Sequence, residues 1–460
     1  MLQMMGAAHR FDGGSAPAVY YGPDAAIGRR CRLWIVPDPR ADWLRAPPRF
    51  SEVEGVVVPH RGRPPSRLCS GNRLEFDLCR AARFWLTLES ERNEGRRDAH
   101  GRVPGGASLL GRGGWLMRPP VHGYVRMLLH RLWPTQPPAG LVPAWPGGKR
   151  YAVALTHDVD RPERPGLAWP LLRELLFAGA VTRRESYYAL RAEIRSRGFM
   201  EAVVSGPSRR REWDFRKWCR MESAYDLRSA FYFAVVNKRE GHDCDVSYDP
   251  SRRRYRRLFA RLLEQGFEVG LHAGYLTQWQ KPPVHEQADR LSRLTGGPAG
   301  GVRHHYLQLC RDDPMRSLVE HAAAGLPYDT SVGFNDSPGF RSGAALPFQP
   351  FHGATGAVTD FVELPMTLAD MHLPGTDAAA ASRRALEHLE AVRSVGGLAV
   401  LNWHVGHGAT DPAWREAYHA VCAFLAEDAE AWCATPARIA SWWLQRLRSL
   451  DVTPAVGGGA

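Results

Sequence analysis

From Tyr151 onward, short apolar runs alternate with longer amphipathic stretches. YAVALT (151–156), AFYFAVV (230–236), FEVGLH (267–272), GVRHHYL (301–307) and GLAVLNWH (397–404) have the length of strands, whereas 167–228, 251–265, 284–294 and 313–324 carry helical spacing. Strands covered on both faces read as nearly continuous apolar runs, so this alternation predicts an α/β fold with a parallel sheet or barrel. Ahead of it, RLWIVP (32–37) and VEGVVVP (53–59) read as strands and RLEFDLCRAARFWLTLESER (73–92) as a helix, giving a smaller mixed α/β domain over residues 1–135. LWPTQPPAGLVPAWPGGKR (132–150) holds five prolines and three glycines, which disfavour helix and central strand alike. The expected division is a domain at 1–135, a linker at 136–148, a larger α/β unit at 149–450 and a flexible tail at 451–460.

In parallel α/β folds the chemistry gathers at the C-terminal ends of the strands, where the loops converge. Four apolar runs here end in polar residues. The first leads into His157, Asp158 and Asp160; regular strand geometry points the two carboxylates to one side and His157 to the other. Two such carboxylates can divide labour, one binding a cation and one taking a proton, or they can simply cap the next helix. The second run supplies Glu268 and His272. The third supplies Arg303, His304 and His305, where an arginine can hold a neighbouring aspartate ionised and an imidazole can serve as ligand or substrate contact. The fourth supplies Asn402, Trp403, His404 and His407, with His404 suited to general-acid work and His407 to a supporting or surface place. Each cluster alone is compatible with a packing or loop role. Their recurrence at four successive strand ends points to one site.

Charge and cysteine narrow the setting. The formal charge of +12, from 60 Lys+Arg against 48 Asp+Glu, is almost all arginine, with clusters at 209–211 and 252–257. These read as solvated faces or as contacts for an acidic polymer or a nucleotide-linked sugar; no nucleic-acid fold motif accompanies them, so nucleic acid is not an expected partner. The segment 161–215, rich in arginine and aromatics (Tyr187, Tyr188, Trp213, with Trp218 beyond), reads as a surface helix pair or an anionic-glycan contact. The eight cysteines stand singly, without a C-x-x-C pair, which disfavours a zinc ribbon and makes a disulfide framework unnecessary. With no signal-peptide pattern and no long apolar span, the expectation is a cytoplasmic protein without a membrane span.

The four motifs, in this order, resemble the polysaccharide deacetylase superfamily, the NodB-homology or carbohydrate esterase family 4 type. The resemblance runs from residue 149 to about 447, and the N-terminal region resembles a domain that precedes the barrel in one bacterial branch. It implies a distorted (β/α) barrel and hydrolysis of an acetyl group from a sugar with a divalent metal, usually zinc. LTHDVD stands at the Thr-Phe-Asp-Asp-Gly motif, implying Asp158 as catalytic base and Asp160 as metal ligand. GFEVGLHAGY stands at the metal-binding histidine motif, implying His272 as ligand; GVRHHYL at the Arg-x-Pro motif, implying Arg303 beside the base; LNWHVGH at the last histidine motif, implying His404 as general acid. Departures from the family pattern stand out: Val159 and Asp160 replace the usual second Asp and Gly. Leu276 occupies the position of the second metal-binding histidine, and Ala273 follows the first. A three-ligand site then needs a replacement, for which His305 is the first candidate and His304 the second. Two other function classes stay open: a non-catalytic saccharide-binding descendant of the fold, and an aspartate-based phosphohydrolase built on the Asp-Val-Asp stretch.

Overall fold

A computed structural model describes residues 4, 18–38, 43–135, 141–162, 215–352, 356–357, 360–406 and 411–450. Most of the arginine-rich insertion, including Tyr187, Tyr188, Trp213 and the cluster at 209–211, lies outside these residues, as do His407 and the tail at 451–460.

The N-terminal part forms two small sheets. Strands β1 (Val19–Tyr21), β2 (Leu33–Ile35), β5 (Cys69–Ser70) and β6 (Arg73–Leu74) make one, in the order β1-β2-β6-β5, while β3 (Arg49–Val53) and β4 (Val56–His60) make an antiparallel hairpin. VEGVVVP is therefore not one strand. Glu54 (φ 50°) and Gly55 (φ 77°) both take the left-handed conformation that a two-residue hairpin turn requires, and the chain reverses there. The stretch 73–92 is likewise divided. After β6, Asp77 accepts a hydrogen bond from the Arg80 amide and starts helix α1 (Leu78–Leu86). Leu88, with φ 56°, separates α1 from the short turn Glu89–Arg92. Helix α2 (Pro120–Leu132) completes this part.

The larger sheet is built from β7 (Tyr151–Val159), β8 (Ser229–Phe233), β9 (Glu268–Ala273), β10 (Val302–His304), β11 (Tyr328–Asp329), β14 (Val362–Glu363), β15 (Met366–Ala369), β16 (Leu398–Asn402) and β17 (Ala431–Cys433); the pair β12 (Phe351–His352) and β13 (Gly356–Ala357) stands apart as a hairpin. Its order is β14-β11-β10-β9-β8-β7-β16-β15, with β17 added on β7, and every pairing in it is parallel. The two edge strands, β14 and β15, are separated by two residues of the same chain. The sheet must therefore curl until its edges meet end to end, which makes it a distorted (β/α) barrel. Helices α3 (Phe215–Ala224), α4 (Arg253–Glu264), α5 (Val284–Thr295), α6 (Pro314–Ala323), α7 (Ala378–Ser394), α8 (Pro412–Glu427) and α9 (Pro436–Leu450) follow successive strands. None of the helices described is long and apolar enough to cross a membrane.

The period-two alternation of β7 splits the core. Tyr151, Val153, Leu155 and Val159 join the layer between sheet and outer helices, and Ala152 and Ala154 face inward with Ala230 and Tyr232. The inward cluster also contains N-terminal residues such as Trp85, Tyr124 and Trp145, so the N-terminal part packs against the barrel interior. A buried ion pair joins the two, Arg341 Nη2 to Glu91 Oε2 at 2.8 Å. Because all strands run in the same direction, Asp158, His272, Arg303 and Asn402 emerge at one end of the barrel, with His272 in register with Arg303 and Asn402 with Thr156.

Candidate active site

Asp158 is held from two sides at the end of β7. Arg303 Nη1 donates to its Oδ1 at 3.1 Å and Asn402 Nδ2 to its Oδ2 at 2.9 Å, while its own amide donates to Asn402 Oδ1 at 3.2 Å. Burial pushes its pKa up, but the charge of Arg303, with His404 beside it, outweighs that and holds the carboxyl below its ordinary value. Arg303 is itself fully buried. Its Nε donates to Thr330 Oγ1 at 2.9 Å, Nη1 also reaches Thr156 Oγ1 at 2.8 Å, and the guanidinium lies 4.8 Å from the centre of the Tyr232 ring. Gly270 makes room for that ring, since a Cβ there would lie 2.5 Å from it.

Asp160, His272 and His305 come together on the other side of Asp158. Asp160 Oδ1 is 3.2 Å from His272 Nε2 and 3.5 Å from His305 Nε2, and ligand atoms of all three lie within 4.8 Å of one another. Asp160 Oδ1 and His272 Nε2 are buried without any hydrogen-bond partner, although they face each other. Buried polar atoms are rarely left so, because each costs about 1–3 kcal/mol. His272 Nδ1 lies 3.0 Å from the Arg303 carbonyl, which can only accept; Nδ1 therefore carries the proton and Nε2 presents its lone pair to the cluster. One carboxylate oxygen and two imidazole nitrogens form a donor set suited to zinc, and ligands about 2.0–2.1 Å from a tetrahedral ion stand roughly 3.4 Å apart. The residues fit a divalent cation.

Further groups back this cluster. His305 Nδ1 is 3.6 Å from Asp245 Oδ1, and Asp245 is fixed by the amides of His242 and Tyr275, each at 2.7 Å. Burial alone would lower the His305 pKa; Asp160 and Asp245 outweigh it and raise it to about 9. Asp160 is held well below its ordinary value, against the effect of burial, chiefly by His305.

His404 stands across from the base. Its Nε2 is 3.9 Å from Asp158 Oδ2 and 4.0 Å from Asp160 Oδ2. Asp370 grips it twice, with Oδ1 2.8 Å from Nδ1 and Oδ2 accepting from the backbone amide at 2.9 Å. Burial opposes protonation, but Asp370, Asp160 and Asp158 raise the His404 pKa to about 10.

The six residues singled out as catalytic or ligating, Asp158, Arg303, His404, Asp160, His272 and His305, thus lie around one space. Others do not. His304 turns away, its Nε2 2.7 Å from His321 Nε2, and His321 Nδ1 lies 3.0 Å from Asp329 Oδ2. His157 faces the outer layer, and Trp218 packs 4.7 Å from it, buried rather than presented to a glycan. Glu268 lies at the opposite end of β9, bonded to the Tyr328 hydroxyl and the Ala437 amide. Leu276 opens a short 3₁₀ turn at 277–279. Sequence reasoning missed Asp370 and Asp245. Asp370 follows an apolar run, ELPMTLA, as the other site residues do, and that signal was readable; Asp245 sits in an irregular loop that carries none.

No protein-family model and no curated protein matches the chain. Several solved structures are similar to it, three of them as follows. A polysaccharide deacetylase from Mycobacterium smegmatis shares 18% identity, covering 69% of this chain and 99% of its own, with a TM-score of 0.43. The PuuE allantoinase shares 15% over 67% and 94%, with a TM-score of 0.41, and a polysaccharide deacetylase from Pseudomonas aeruginosa PAO1 shares 16% over 68% and 95%, with a TM-score of 0.42.

Proposed function

We propose that this protein is a metal-dependent carbohydrate N-deacetylase, a hydrolase of carbon–nitrogen bonds other than peptide bonds that releases acetate from an N-acetylated sugar or polysaccharide, with Zn²⁺ as its cofactor. The observation that carries the reading is the pair of unbonded buried ligand atoms, Asp160 Oδ1 and His272 Nε2, converging with His305 between an ionised aspartate and a protonated histidine. Asp160, His272 and His305 would hold the cation, which when bound would supply Lewis-acid polarisation of the acetyl carbonyl and acidification of the attacking water. Asp158 takes the proton from that water, kept anionic by Arg303 and aimed by Asn402. His404, cationic at neutral pH and oriented by Asp370, gives its proton to the departing nitrogen.

The test is acetate release from N-acetylated saccharides by protein of known metal content. Asp158→Asn should lower kcat about 10²–10⁴-fold, the usual worth of a general base, with unchanged metal content. Metal-free purified protein together with undiminished acetate release by Asp158→Asn would overturn the reading. Saccharide binding without turnover, insensitive to chelator, would identify a binding protein instead.

A further inference from the structure

The N-terminal part closes one side of the catalytic mouth. Arg102 Nη1 donates to the Tyr306 carbonyl at 2.7 Å, Gln308 Nε2 donates to the His100 carbonyl at 2.9 Å, and His100 Nδ1 lies 2.9 Å from the Tyr275 hydroxyl. These contacts brace the loop that follows His305, in which Tyr306 (φ 59°) and Leu307 (φ 54°) both hold left-handed backbone. Non-glycine residues keep that conformation only where their surroundings impose it, and such positions cluster at functional sites.

Between this segment and the barrel lies a cavity of about 110 Å³. Pockets for whole small molecules run to roughly 300–1,000 Å³, so this one has room for a single compact group rather than a sugar ring. Five arginines line it: Arg92, Arg97, Arg102, Arg311 and Arg341. Three have carboxylate partners, Asp313 at 3.0 Å from Arg92, Asp98 at 2.7 Å from Arg102 and Glu91 at 2.8 Å from Arg341. Arg97 instead donates to the carbonyls of Glu94, Gly101 and Glu91. Among the described residues, neither Arg97 nor Arg311 has a carboxylate at ion-pair distance. Arg92 Nε, furthermore, is buried without a hydrogen-bond partner. Burial and the charges of Arg311 and Arg341 lower the Arg97 pKa against the opposing carboxylates of Glu91 and Asp312.

Five guanidinium groups around a cavity sized for one compact group, only three of them in ion pairs, call for an anion, and guanidinium matches the geometry of phosphate and carboxylate. We infer that this cavity is a subsite for a compact oxyanion, a phosphate or a carboxylate, carried by the acetylated saccharide. The substrate half of this inference rests on the deacetylase reading; the anion half rests on the cavity alone.

The experiment has a binding arm and a kinetic arm. Calorimetric titration of the full chain with inorganic phosphate, with and without EDTA, should show saturable binding in both conditions. Arg311→Gln, at an exposed position, should weaken it about tenfold, equivalent to about 1.4 kcal/mol, and Arg97→Gln combined with it further. Arg290→Gln, which lies outside the cavity and is paired with Glu240, should leave binding unchanged. No saturable binding, equal weakening in Arg290→Gln, or binding abolished by EDTA would overturn the inference, the last because it seats phosphate on a metal. Kinetically, the ratio of kcat/KM for N-acetylglucosamine 1-phosphate, or for N-acetylmuramate, to that for N-acetylglucosamine should fall about tenfold in Arg311→Gln. The ratio that responds tells phosphate from carboxylate; acetate release with both ratios unmoved sinks the subsite. If phosphate binds as stated and no saccharide releases acetate, the deacetylase reading fails and the anion site stands.

Discussion

Strand β7 buries polar groups on both of its faces and uses them in opposite ways. On the outer face, His157 Nδ1 is 2.8 Å from the Trp403 carbonyl and Nε2 is 2.8 Å from Glu222 Oε1, which also accepts from the Tyr418 hydroxyl at 2.9 Å. The ring stacks on Phe231 at 4.6 Å. Glu222 keeps one oxygen without a partner, yet every other polar atom of the trio is engaged. On the inner face, Asp160 and His272 approach to 3.2 Å and do not bond. Burial and polarity are common to both clusters and so cannot mark the site. What differs is whether the atoms satisfy one another or converge, unsatisfied, on a shared point, as ligands of a cation do.

The largest effects should separate the two faces by kind. On the proposed reading His272→Ala removes a ligand and should abolish stoichiometric metal and acetate release, with the thermal midpoint of the metal-free protein shifted by only a few degrees, about 1 kcal/mol or less. His157→Ala should do the reverse. It leaves the Glu222 carboxylate buried and without its imidazole partner, which costs about 3–5 kcal/mol, while the folded fraction keeps kcat within about tenfold, a change of about 1.4 kcal/mol in the barrier. Denaturant titration and single-turnover acetate release on both variants would decide it. A His157→Ala protein of normal stability but no turnover would place the outer cluster in the chemistry.

A smaller effect concerns Asp370, the aspartate behind His404. The His404 pKa is raised to about 10, so its proton-donating form is complete at neutral pH and lost as pH rises through that value. Asp370→Asn removes the nearest charge responsible, so the alkaline limb of kcat should move to lower pH and kcat at neutral pH should fall about 10²-fold, the low end of general-acid catalysis. An alkaline limb that stays in place would mean that His404 is not the acid.

Much of this was readable in the chain. A parallel sheet follows from apolar runs buried on both faces, and the strands' common direction collects Asp158, His272, Arg303 and His404 at one end; neither step needs tertiary detail. The register errors were local. In VEGVVVP, two left-handed residues, Glu54 and Gly55, outweigh the run of valines around them, and in 73–92 the Asp77 cap and the left-handed Leu88 cut a continuous helical period. Asp245 and Arg97 were not legible, since irregular loops have no period and their side chains acquire meaning only from what the fold brings beside them. Adjacent residues show the limit most sharply. His304 and His305 share one strand end, and only the turn after β10, with Tyr306 left-handed, sends one ring outward to His321 and the other to Asp160.

The smallest effects compare the groups that stand behind each histidine. Asp245 backs His305 at 3.6 Å and Tyr418 backs His157 at 3.3 Å, so both hold an imidazole without belonging to the pair in front. If the inner cluster is a metal site, Asp245→Asn should act on affinity: outer partners of ligating histidines are worth about 10–100-fold in metal binding, and competition with a chromogenic chelator would read the loss directly. The fold should hardly notice, because the Asn carbonyl can still accept one of the two backbone amides. Tyr418→Phe should act on stability alone, by about 1 kcal/mol for one neutral donor to a buried carboxylate whose other bond persists, with metal affinity unchanged. A Tyr418→Phe protein with weakened metal binding would show that the outer network, through the Trp403 carbonyl held by His157, sets the geometry of the inner one, and the two faces of β7 would then be a single device.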